Sequence, residues 1–124
     1  MEIPGEKETG KPTSFEETLE DETLKKLEAI YQKVQKGELS DFPADVYKLL
    51  TSYLEEKYQI VTSGKTTDDI ISSLSNLDLS PERISLLREI LSACDLAKFA
   101  GERLEKGKCG EISGQVREFM EQNR

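Results

Sequence analysis

The period of the apolar residues constrains this chain more than any other feature. From Ser14 onward they recur every three or four positions, and no segment sustains the two-residue alternation of a half-buried strand. Leu24, Leu27, Ile30 or Tyr31, and Val34 fall on one face of a first helix. Val46, Leu49, Leu50, Tyr53 and Leu54 form the stripe of a second, flanked by Tyr47 and Tyr58. Ile70, Ile71 and Leu74 serve a short third helix, and Ile84, Leu87, Leu91 and Cys94 a fourth. Ile112, Val116, Phe119 and Met120 close the series. Stripes of this kind can be buried only against one another, which predicts an all-α bundle of about five helices.

Local chemistry sets the expected boundaries. Ser14 with Glu17 matches a capping box, so the first helix begins between Ser14 and Asp21 and stops near Lys36, before Gly37. Pro43 suits the first turn of the second helix, which ends near Tyr58 ahead of β-branched Ile60, Val61 and Thr62. Thr66 with Asp69 repeats the capping-box pattern. Ser80-Pro81-Glu82 reads as an N-cap, a proline at the first position and a first-turn acid. The fourth helix runs to Ala100 or as far as Leu104. Gly107 and Gly110 frame a loop before the fifth.

Charge divides the chain unevenly. It holds 17 basic and 25 acidic residues in 124, a net charge of -8. Eight of those acids lie in residues 1–22 beside only Lys7 and Lys11. Residues 1–13 add Pro4, Gly5, Gly10 and Pro12, and too little apolar surface to offset the entropy of ordering them. They read as a flexible acidic linker or tail, and residues 14–124 as a single helical domain. No apolar run approaches the length of a membrane span, and no signal-peptide core stands near the start. Direct membrane insertion by this chain is therefore not expected.

The chemistry-bearing motifs are few. With no histidine and two cysteines, histidine catalysis, histidine metal sites and a disulfide-stapled scaffold are excluded. Gln59 to Thr66 resembles a phosphate-binding loop, but Gln59 occupies the place of its first glycine. Cys94 reads as a small buried side chain. Cys109 reads as an exposed, incidental thiol beside Lys106 and Lys108; a redox role or a disulfide with Cys94 are the alternatives. Asp95 stands in an apolar stretch with Lys98 three residues on. It fits an ion pair with Lys98, an acceptor for the amides of another helix end at Thr66 and Thr67, or a ligand-binding carboxylate. Asp68 and Asp69 suit the positive end of a helix. A helix-turn-helix reader of nucleic acid is disfavoured. Arg83, Arg88 and Lys98 of the fourth helix are balanced by Glu82, Glu89 and Asp95. No catalytic, cofactor or metal residues are expected. The structural candidates are Thr66, Thr67, Asp69, Ser80, Cys94, Asp95, Lys98 and Phe99.

Several stretches together resemble a known module. They are Val46-Tyr47-Lys48-Leu49-Leu50, Tyr53-Leu54-Glu55, Tyr58-Gln59-Ile60, Thr66-Thr67-Asp68-Asp69-Ile70 and above all Cys94-Asp95-Leu96-Ala97-Lys98-Phe99-Ala100. The span from Leu24 to Met120 is similar to the cytoplasmic C-terminal helical module of Bat-type oxygen-tolerance (aerotolerance) proteins and related bacterial proteins of unknown function. The resemblance implies the tail of a membrane-anchored parent, on the cytosolic side of the inner membrane. It also implies work alongside MoxR-type AAA+ ATPases and von Willebrand A-domain proteins, and it brings no enzymatic residues. The expectation is a non-enzymatic protein-interaction domain. The competing expectations are a ligand-sensing or catalytic domain with a pocket near Asp95, Lys98 and Cys94, and a nucleic-acid binder.

Overall fold

In the computed structural model, which describes residues 17–99 and 104–124, the apolar stripes become five helices. They are α1 (Leu19–Gln35), α2 (Phe42–Tyr58), α3 (Thr67–Ser75), α4 (Pro81–Phe99) and α5 (Lys106–Gln122). No strand occurs among the described residues, so the fold is an all-α bundle. α1 packs on α2 and α5, and α4 also packs on both α2 and α5. The four close a ring, with α3 leaning on α4 from outside. The expected stripes fill the ring: Leu27, Val34, Val46, Leu50, Leu54, Leu87, Leu91, Ile112 and Val116 are fully buried. Each such aliphatic side chain contributes roughly 1.5–3 kcal/mol on burial.

Helix ends follow local rules. α1 opens with a capping box made by Thr18 and Asp21: Asp21 N donates to Thr18 Oγ1 at 3.1 Å, and Thr18 N donates to Asp21 Oδ2 at 3.3 Å. The Ser14 cap and the 1–13 segment lie outside the described residues, and Glu17 precedes the helix. At its far end Gly37 takes a left-handed φ of 89°, so that Gly37 N reaches Val34 O and Glu38 N reaches Lys33 O. α2 ends where Gln59 turns left-handed, φ 56°. α3 carries the expected box, with Thr66 and Asp69 bonded reciprocally. At the start of α4, Arg83 N donates to Ser80 Oγ at 3.2 Å.

Two expectations are corrected. α4 is helical to Phe99; residues 100–103 lie outside the described set, and Leu104 precedes α5 rather than ending α4. The loop framed by Gly107 and Gly110 is instead the first turns of α5. Each glycine there costs about 1 kcal/mol relative to alanine, but burying Cys109 and Ile112 outweighs it. Gly110 also has a packing role. A Cβ at that position would stand 3.1 Å from the Tyr31 hydroxyl, where α1 crosses α5.

Candidate functional site

The expected site residues converge where α3 meets α4. Thr66 caps α3, which places Thr67 at its first turn and turns the Thr67 hydroxyl toward α4. Thr67 Oγ1 donates to Asp95 Oδ2. A hydroxyl has one proton, and this one is given to Asp95. The 2.8 Å contact between Tyr47 and Thr67 therefore runs from the tyrosine hydroxyl to Thr67 Oγ1. The result is a relay from α2 through α3 to α4: Tyr47, Thr67, Asp95. Burial pushes the Tyr47 phenol up from its ordinary range, and the charge of Asp95 adds to this, so the tyrosine stays a donor.

Asp95 is thus an acceptor for another helix's first turn, but through a side-chain hydroxyl and not through backbone amides. Lys98 takes a different position from the one expected. Among the described residues no ion pair joins it to Asp95; its Nζ lies 4.0 Å from the Tyr47 ring centroid and 5.1 Å from that of Phe99. Asp69 is occupied in the α3 cap, while Asp68 Oδ1 accepts from Arg88 Nη1 at 3.2 Å. Cys94 is fully buried beneath the relay, where burial and then the neighbouring Asp95 push its thiol up to about 12. That thiol is protonated at neutral pH and is no nucleophile.

Outside the relay the surface forms an open groove of about 480 Å³, lined by Thr66, Thr67 and Asp68 from α3 and its cap and by Ser92, Asp95, Leu96 and Phe99 from α4. Leu96 is 58% and Phe99 80% exposed, the largest apolar side chains that α4 leaves uncovered. Phe99, counted from sequence among the structural candidates, is a surface residue here.

Cys109 departs most from expectation. It is fully buried inside α5, its thiol is free, and burial raises its pKa despite Lys106 and Lys108 nearby in sequence. Burial decides against the loop thiol, because desolvation disfavours the thiolate. Cys94 is free as well, which removes the disulfide alternative. The stretch resembling a phosphate loop is a plain connection. Glu55 accepts from Thr62 N at 2.9 Å and from Thr62 Oγ1 at 2.7 Å, placing a carboxylate where a phosphate would need donors.

A second polar constellation escaped sequence reasoning altogether. Asn123, just past α5, is 2% exposed and uses its whole amide. Its Nδ2 donates to Tyr53 Oη at 2.8 Å and to Tyr58 Oη at 2.7 Å, while Oδ1 accepts from Arg83 Nη1 at 2.7 Å. Its carbonyl accepts from Lys57 Nζ at 2.7 Å. Lys57 also pairs with Glu20, which is 4% exposed, and Tyr53 Oη donates to the same carboxylate at 2.5 Å. Burial pushes the Glu20 carboxyl up, but the bonds from Lys57 and Tyr53 outweigh it and hold it below its ordinary range. The Tyr53 phenol is driven far up, first by burial and then by Glu20. One signal was available: Glu20 stands seven residues before Leu27, on the buried face of α1.

Among the described residues no three carboxylates or thiols converge as metal ligands would, and no helix is long and apolar enough to cross a membrane. Compared with protein-family models, curated proteins and solved structures, the chain matches none. What the fold defines is therefore a class, a five-helix bundle with one polar relay beside a groove and one polar knot centred on the buried Glu20, Tyr53 and Asn123.

Proposed function

We infer that the bundle is a non-enzymatic protein-interaction domain whose contact surface is the groove between α3 and α4. The observation that carries this reading is the pair Leu96 and Phe99, exposed on the last turns of α4 in a groove that also holds Thr66, Asp68 and Asp95. A partner that covers both gains apolar burial, while Thr66 and Asp68 at the rim give it direction. Absence of turnover chemistry is supported by two thiols held protonated in the interior and by an aspartate whose near neighbour is a threonine, not a base. The cations of α4 are committed within the molecule, Arg83 to Asn123, Arg88 to Asp68 and Lys98 to the Tyr47 ring. This disfavours a face for nucleic acid.

The CDLAKFA stretch gives this proposal its context. Its resemblance to Bat-type oxygen-tolerance proteins supports a tail on the cytosolic side of the inner membrane, with a MoxR-type AAA+ ATPase or a von Willebrand A-domain protein as partner. The same groove also suits a second reading, a small-ligand pocket. Against that reading, Cys94 faces the core and Lys98 is held on the tyrosine ring.

The test is affinity capture with the full chain against each purified partner class, run in parallel with Leu96→Ser/Phe99→Ser. Capture of either class that disappears in the double variant supports the proposal. Failure to capture either, or capture unaffected by the double variant, refutes it.

A further inference from the structure

We propose that the groove between α1 and α2 is a docking site for an acidic amphipathic helix of a partner protein. This depression of about 450 Å³ shares no lining residue with the α3/α4 groove, so the two proposals stand apart. Its apolar floor is Ile30 and Leu49; Lys26, Lys33, Lys48 and Asp45 rim it. In a chain of net charge -8, a rim of three cations and one carboxylate runs against the prevailing charge.

Several lysines elsewhere have a carboxylate at close range. Lys25 pairs with Glu17, Lys57 with Glu20 and Lys108 with Glu111. Among the described residues, Lys26 and Lys48 have no such carboxylate, and Lys33 makes only a loose ion pair, its Nζ 3.6 Å from Asp45 Oδ2 and beyond hydrogen-bond reach. That oxygen is buried without a hydrogen-bond partner. The rim is therefore incompletely neutralised from within.

Spacing selects the occupant. Lys26 and Lys33 are two helical turns apart on one face of α1, about 10 Å along the axis, with Ile30 between them. A bare anion would satisfy the lysines and leave the half-buried Ile30 and the exposed Ala29 wet. A purely apolar helix would cover the floor and strip water from the ammonium groups without replacing it. A helix with an apolar row flanked by carboxylates one or two turns apart satisfies both requirements.

Three fluorescein-labelled synthetic peptides of equal length test this by anisotropy against the full chain: an amphipathic Leu/Glu helix, its Leu/Lys counterpart and polyglutamate. Amide chemical-shift mapping locates the site. The Leu/Glu peptide is expected to bind, to shift amides around Ile30 and Leu49, and to weaken about tenfold or more in Lys26→Glu/Lys48→Glu. Both substituted side chains are on the surface, and circular dichroism checks that the variant remains folded. The proposal is overturned if the Leu/Glu peptide fails to bind, if the Leu/Lys peptide or polyglutamate binds as tightly, if the shifts map elsewhere, or if charge reversal changes nothing.

Discussion

The relay at Asp95 and the knot at Asn123 use the same vocabulary of tyrosine, carboxylate, hydroxyl and amide, but the bundle treats them differently. The relay lies at the edge of a groove, with Thr67 buried and both ends, Tyr47 and Asp95, half-buried. The knot is closed off: Glu20, Tyr53 and Asn123 are buried, and each of these side chains meets a partner from another helix or its cap. A closed network holds the structure in register, because every group removed from it leaves another stranded without water. An open one loses less when broken, since water fills the gap, and so its surroundings are free to serve binding. The contrast assigns stability to one region and recognition to the other.

The largest expected effect tests the closed side. Glu20→Ala should cost about 3 kcal/mol, since the buried Tyr53 hydroxyl and the part-buried Lys57 lose their shared carboxylate. Urea unfolding measures it, and a cost below about 1 kcal/mol would mean that the knot is not closed in solution. Asn123→Ala should follow at about 2 kcal/mol, because it removes the acceptor of Arg83 and the donor to two phenols.

Acidity sharpens the same point. Glu20 in the folded chain titrates below its ordinary value of 4.5, so it binds its proton more readily when unfolded. Its stabilisation is complete above the unfolded value and disappears as pH falls through the folded one. The stability gap between wild type and Glu20→Gln should then narrow as pH drops from about 6 to about 3. A gap that widens on acidification would reverse the sign and sink the assignment.

On the open side the effects are smaller. Asp95→Ala should cost about 1 kcal/mol, because Asp95 lines an open groove where water can replace its carboxylate as the partner of the Thr67 hydroxyl. Should it cost as much as Glu20→Ala, the distinction between the two regions fails. The smallest change is expected for Leu96→Ser/Phe99→Ser, within about 0.5 kcal/mol of wild type in thermal unfolding. A larger loss would show that these side chains are packed in solution and not offered to a partner.

Particular residues show how far the sequence could be read. Thr66 with Asp69 and Ser80 with Arg83 bond across three positions, so their order along the chain suffices to find them. The bond from Thr67 to Asp95 spans 28 positions; only the oddity of an acid in an apolar stretch hinted at it. Lys98 misled because nearness in sequence suggested an ion pair, whereas the Tyr47 ring comes from another helix. Gly107 and Gly110 misled for a related reason. Their local preference for a turn is real, and it is overruled by what α5 buries beyond them.

Helix number, helix type and most helix ends were determined by the sequence alone, since period and capping act within one turn of the chain. Only the tertiary structure decided that Asn123 joins residues 40, 65 and 70 positions away, that Cys109 is sealed and that Phe99 is bare. Which face meets which neighbour depends on the packing of all five helices at once, and no stretch of sequence shorter than the bundle contains that information.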